Sequence, residues 1–336
     1  MILDIFPYKS GAYDCYQIAI ANVCNHFQRK YEMISLGGWC FQYNHTLDEL
    51  SIGNQIRPYR RRKNNSLLTF HGIYTEDYKK ETLSADIIKQ YIINGVPLLI
   101  FSDLFNCNWN EAYQKYHFNH YYILIGYDGN EQFVCIDPYI TERRIKCSLS
   151  ELLANMTNYR IVRFTDIHAS DTEYYDELIS DYTYFVEKNT PQQIEKFAEG
   201  ISNEFDLDKE LFGYEKDLFA VPLVDNLKIL STKRKGYSNM LRYIGNCLNP
   251  QFNDYGEQAE SIAKEWGEIR LQLLKMMLKN RVTKDNLLSV ASAIRKLASL
   301  EEKMMYSIKT TAQLLLAQGF HEQTKIDDKK CKGCYL

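Results

Sequence analysis

The spacing of apolar and polar positions changes along this chain, and each change marks an element. In GAYDCYQIAIANVCNHF, Gly11 to Phe27, apolar residues recur at helical intervals and predict a helix from about Tyr16 to Phe27, with Cys15 where a loop gives way to it. VPLLIFSD and HYYILIGYDG are short runs rich in β-branched or aromatic residues and predict strands. Asp128-Gly129-Asn130 is a hairpin-turn signal, and QFVCIDPY then returns as the next strand. Ser148 and Glu151 form a capping-box pattern that opens a short helix through LSELLANM, and YRIVRF (Tyr159–Phe164) predicts one more strand. From Thr165 to Asn189 the chain turns acidic and tyrosine-rich, which suits a connector or a short helix and strand.

Beyond Asn189 the period is helical almost throughout. Thr190 as cap and Pro191 at the first helical position predict a helix start. Ile262, Trp266, Ile269, Leu273 and Met276 form one stripe. Leu287, Val290, Ile294, Leu297 and Met304 form another, with Glu301 as its one gap. Such stripes are the inner seams of helical bundles. The expected organisation is α+β over 1–165, a connector over 166–189, an α-helical domain over 190–322 and a flexible tail over 323–336.

Composition narrows the function classes. A net charge of −3 argues against general affinity for nucleic acid. No apolar run reaches the roughly 18 residues that span a bilayer. MILDIFPYKSG lacks the features of a secretory signal, so a cytoplasmic location is expected. Nine irregularly spaced cysteines read as reduced thiols, with Cys24, Cys40, Cys135 and Cys247 expected in apolar cores. The single C-x-x-C of Cys331 and Cys334 has no second pair, and the scattered histidines give no metal-ligand spacing, so no metal is expected.

The chemistry-bearing residues are Cys15, His120 and Asp137. A thiol at a helix N-terminus is favoured as thiolate by the macrodipole, and a neighbouring imidazole can take its proton. His120 begins one strand and Asp137 closes the next, so a hairpin turning at Asp128–Asn130 brings them side by side. A carboxylate there fixes the imidazole tautomer and stabilises the imidazolium.

The order Cys, His, Asp on a helix and paired strands resembles that of papain-like enzymes. HYYILIGYDGNEQFVCIDPY looks like the His-to-Asp block of the bacteriocin-processing cysteine peptidase clan. A closer resemblance is to the family typified by the butirosin-biosynthesis acyltransferase (BtrH type). There the cysteine is followed seven residues later by an asparagine and then by a glycine-rich turn, here Asn22 and Gly37-Gly38. GVPLLIFSD, ending at Asp103, YQKYHFNH and the tryptophan-bearing helix of the second half also echo that family.

The resemblance implies transfer of an acyl group from a carrier-protein thioester to an amine through an acyl-cysteine. Related papain-like enzymes form amide bonds in nonribosomal peptide pathways, including that of closthioamide. The peptidases of the clan carry a glutamine six residues before the cysteine as an oxyanion donor, and Lys9 stands there in this chain. The backbone N–H of Cys15 remains, with Gln17, Lys9 or Tyr13 as candidate helpers. The basic run RPYRRRK, with Arg60, Arg61 and Arg62 at its centre, is either a solvated loop or a dock for an acidic carrier protein and its phosphopantetheine phosphate.

The expectation is therefore a papain-like cysteine acyltransferase or amide synthase needing no cofactor of its own. Its substrate is presented on the phosphopantetheine of an acyl or peptidyl carrier protein, and a small amine accepts the acyl group. A homodimer is an open alternative for its assembly. Two other readings stand beside it, a cysteine peptidase that trims a leader peptide and a non-catalytic carrier-binding scaffold.

Overall fold

The computed structural model describes residues 1–44, 51–58, 66–128, 132–167 and 169–332, with side chains described as far as residue 318. In chain order the first elements are α1 (Cys15–His26), β1 (Gln42–Tyr43), α2 (Ile52–Gln55), β2 (Ile56–Arg57), α3 (Ser66–His71) and β3 (Ile73–Lys79). Then come α4 (Ala85–Ile93), β4 (Leu98–Asp103), β5 (Asn119–Tyr127), β6 (Phe133–Ile136), β7 (Arg144–Cys147), α5 (Leu149–Asn155) and β8 (Met156–Phe164). Helices follow: α6 (Asp171–Glu187), α7 (Thr190–Asn203), α8 (Leu207–Leu211), α9 (Pro222–Cys247), α10 (Gln251–Leu278) and α11 (Lys284–Lys332). The chain divides into two compact units, Met1–Ile34 with Lys63–His168 and Ser35–Arg62 with Ala169–Leu336.

The first unit is built on a six-stranded antiparallel sheet in the order β3-β8-β4-β5-β6-β7. Leu98, Leu99, Ile100, Ile123, Leu124, Ile125 and Ile136 are fully buried, which is why β4 and β5 read as unbroken apolar runs. Helix α1 packs against β5. Six of its side chains, Ile18, Ala19, Ile20, Ala21, Val23 and Cys24, are buried completely. A helix apolar on nearly every side needs a core around it, and here the sheet supplies one wall. The N-terminal segment runs beside β5, where Leu3 donates its N–H to the Ile125 carbonyl at 2.8 Å. Ser148 and Glu151 cap α5 reciprocally, as their spacing implies.

The second unit is helical, and it includes a piece of chain expected in the first. Arg234 of α9 and Glu301 of α11 form a fully buried ion pair, with Nη2 to Oε2 at 2.8 Å. Trp266 Nε1 donates to Glu301 Oε1 at 2.7 Å. The guanidinium also donates to the Gly38 carbonyl and stacks 4.3 Å from the Trp39 ring centroid. Phe41 lies parallel to Trp266 with centroids 6.3 Å apart. A Cβ at Gly38 would come within 2.9 Å of the Lys233 carbonyl, so only glycine permits this approach. Polar and aromatic demands of the helices thus recruit the 35–44 stretch, and the 1–165 boundary does not describe the compact units.

Other expectations are corrected in the same way. The 166–189 connector contains the 17-residue α6, opened by a Ser170–Glu173 capping box and buried along Tyr174, Tyr175, Leu178 and Phe185. Thr190 is the first residue of α7 rather than its cap, which is Asn189 in the left-handed region (φ 48°). Helix α11 continues through Lys332, inside the stretch expected as tail. Cys24, Cys40 and Cys135 are buried, but Cys247 is exposed because it ends α9 on that helix's outer side. The hairpin tip Gly129-Asn130, the arginines 60–62 with Lys63, and Cys334 lie outside the described residues, as does the side chain of Cys331. Among the described residues no helix is long and apolar enough to cross a membrane.

Candidate active site

Cys15 is the first residue of α1 and partly exposed. Asp14 precedes it as N-cap, its Oδ1 accepting the Gln17 N–H at 2.9 Å. Gln17 answers by taking the Asp14 N–H on Oε1 at 3.2 Å, which completes a capping box and fixes the turn that presents the thiol. The Cys15 thiol lies 4.0 Å from the Asn119 carbonyl at the start of β5. The first N–H groups of a helix have no intrahelical acceptor, and that of Cys15 opens α1.

His120 follows Asn119 in β5 and is 1% exposed. Its Nε2 is 2.8 Å from Asp137 Oδ2. The β5–β6 register pairs Ile123 with Ile136, so Asp137, one residue past β6, reaches diagonally back to His120. Burial alone would lower the His120 pKa. Hydrogen bonds to Asp137 and to Cys15, and the charge of both, outweigh it and raise the imidazole from 6.5 to about 9. The imidazolium is therefore favoured once the ring takes a proton, with Asp137 on Nε2 and the Cys15 thiol as a second hydrogen-bond partner.

Asp137 is fully buried and its carboxylate is well partnered. Oδ2 also accepts the Trp109 indole N–H at 2.9 Å, and Oδ1 accepts the Ile140 N–H at 3.3 Å. Tyr139 covers the imidazole with its ring centroid 6.0 Å away. Trp109 is a site residue that the sequence reading missed. Its one signal is an aromatic set among the polar residues Asn108 and Asn110, which gives no hint of a carboxylate partner.

Gln17, a candidate oxyanion helper, and Asn22, the asparagine of the family motif and a candidate binding residue, both hydrogen-bond backbone groups. Gln17 Nε2 donates to the Ile34 carbonyl at 3.2 Å, so both ends of its amide hold backbone. Asn22 is 1% exposed. Its Oδ1 accepts the Tyr8 N–H at 2.6 Å, and its Nδ2 donates to the carbonyls of Tyr8 at 2.9 Å and Ile18 at 2.8 Å. It clamps the segment leading to Cys15 onto α1. Lys9 is exposed and Tyr13 is buried against Tyr31. Of the basic residues of the run only Arg57 is described, exposed and donating to the carbonyls of Asn54 and Ile56. Among the described residues no group of three or more His, Cys, Asp or Glu could hold a metal ion.

Residues 10–167 match the Peptidase_C39 like family. The match spans Cys15, His120 and Asp137 and relates this part of the chain to the papain-like cysteine peptidase clan, a group of cysteine-type enzymes. No curated protein matches the chain.

Proposed function

We propose that this chain is a papain-like cysteine acyltransferase that forms amide bonds, taking its acyl or peptidyl group from a carrier-protein thioester. The observation that carries the reading is a partly exposed Cys15 at a helix start beside a buried His120–Asp137 pair. Cys15 gives its proton to His120, and the thiolate attacks the thioester carbonyl. The tetrahedral intermediate collapses, the pantetheine sulfur leaves with the proton from His120, and acyl-Cys15 remains. The amine then attacks, loses a proton to His120, and the amide departs as the thiol re-forms. Asp137 orients the imidazole throughout, held in its turn by Trp109.

Lys9 in place of the clan's oxyanion glutamine favours transfer over peptidase activity. Transfer also requires that an amine outcompete water at about 55 M, which an oriented acceptor achieves when its effective molarity reaches about 10⁵ M. The arginines 60–62 belong to this reading as the dock for an acidic carrier protein. The rival is a cysteine peptidase acting on a leader peptide, and the family match is the observation in its favour.

Intact-protein mass spectrometry with acyl thioesters of pantetheine and of phosphopantetheine-loaded carrier proteins decides between them. The expected result is one acyl adduct on wild type, none on Cys15→Ala, and discharge as amide when amines are added. An adduct retained by Cys15→Ala refutes the mechanism. Discharge only as free acid with every amine offered returns the peptidase reading to first place.

A further inference from the structure

The residues that follow Cys15 and His120 in sequence are both tyrosines, and the fold closes both on one cation. Tyr16 and Tyr121 lie with ring centroids 5.0 Å apart, tilted by 60°. The guanidinium carbon of Arg160, in β8, is 5.3 Å from each centroid. Arg160 also hydrogen-bonds the Tyr16 hydroxyl, which Thr75 of β3 contacts as well. Arg160 Nε donates to Asp77 Oδ1 at 2.5 Å, and Asp77 is the residue directly opposite in the β3–β8 ladder. Phe101 of β4 backs Tyr121 at 4.9 Å.

We propose that Arg160 is a positioning residue, acting through Tyr16 and Tyr121 to set the separation of Cys15 and His120. Beyond its first turn α1 buries mostly aliphatic side chains, and the buried Asn22 bonds the Tyr8 segment and its own helix. Apolar packing is non-directional, and the clasp adds a directed contact between α1 and the sheet. A cation over two aromatic faces, desolvated to 23% exposure and tethered to a carboxylate, is attracted to both rings at once. Each ring sits one residue from a reactive group, so a shift of either tyrosine moves Cys15 or His120 with it. Misplacement of reacting groups by about 1 Å costs about 100-fold in rate.

The inference rests on reading Cys15 and His120 as nucleophile and base, and the test separates the two. Iodoacetamide alkylation of full-length protein, followed on the Cys15 peptide by mass spectrometry from about pH 5 to 10, reports the thiol–imidazole pairing without substrate. Arg160→Met keeps length and packing but removes the charge. It should lower the alkylation rate at neutral pH by about 10-fold and change the shape of the pH profile. Arg160→Lys should recover part of the rate, and Asp77→Asn should shift the profile the same way by less. Should Arg160→Met not fold, Tyr16→Phe keeps the ring, loses the hydroxyl bonds to Arg160 and Thr75, and should lower the rate about 3-fold. A wild-type profile in whichever of these two variants folds overturns the clasp, as does an Arg160→Lys profile identical to that of Arg160→Met. A wild-type protein whose profile does not respond to His120→Ala fails the catalytic reading instead.

Discussion

Replacing Asp137 by asparagine tests the electrostatics of the site with the smallest change of shape. With its one oxygen in the place of Oδ2, asparagine can still accept from His120 Nε2 and the Trp109 indole, and only the 3.3 Å bond from the Ile140 N–H is lost. It removes the negative charge. In the wild type burial works against the imidazolium, and the hydrogen bonds and charges of Asp137 and Cys15 still raise His120 from 6.5 to about 9. Without the carboxylate, burial prevails and the midpoint should fall to 6.5 or below. That is about a 300-fold change in the ratio of imidazolium to imidazole, or about 3 kcal/mol. Heteronuclear NMR on protein labelled at histidine nitrogens reads the midpoint directly, with His120→Gln assigning the resonance. The same number has a stability consequence of definite sign. A folded value of about 9 above an unfolded 6.5 stabilises fully below 6.5 and is lost as pH rises through 9. Urea unfolding should therefore show wild type ahead of Asp137→Asn at pH 6, with the gap closing by about 3 kcal/mol at most by pH 10. A His120 midpoint in the variant still near 9 would refute the assignment of Asp137 as the source of the shift.

Other outcomes follow from single contacts. Asn22→Leu removes three hydrogen bonds and strands the part-buried Tyr8 backbone groups, so urea unfolding should show a loss of about 1–3 kcal/mol. Glu210, buried against the N–H groups of Ile52 and Gly53, is raised by that burial from 4.5 to about 7. Its contribution is present when protonated and fades as pH rises from 4.5 through 7, so Glu210→Gln should flatten the pH dependence of melting in that window by about 3 kcal/mol at most. Glu301→Gln leaves Arg234 buried without its counter-charge and should cost about 3–5 kcal/mol, whereas the double change Arg234→Met with Glu301→Leu should cost less, as chemical denaturation of both would show. Equal losses in the two would mean that packing rather than charge holds that site.

Local order was legible in the chain. The spacing of Ser148 and Glu151 specifies a capping box because both partners lie within one turn. The stripes through Ile262–Met276 and Leu287–Met304 specify buried helix faces because period fixes which side is apolar. The proximity of His120 and Asp137 could be read for a related reason, since a hairpin is short and its turn residues are recognisable. The mixed α+β sheet unit and the helical region after it both follow from such local patterns.

What the tertiary structure alone decided is who meets whom across long separations. Glu301 was visible as a polar gap in a stripe, but its partners Arg234 and Trp266 stand on other helices, 67 and 35 residues away. The stretch Ser35–Arg57 carries aromatic residues that suit the core of either unit, and the Arg234 bond to Gly38, across 196 residues, goes with the helical one. Trp109 and Asn22 look in sequence like loop and site residues, and become a carboxylate's donor and a backbone clamp only once β6 and the N-terminal segment are in place. Period along a chain reports how much of a side chain leaves water. A hydrogen bond or ion pair needs two groups within about 3 Å, and that condition is set by the packing of elements which the linear pattern does not order in space.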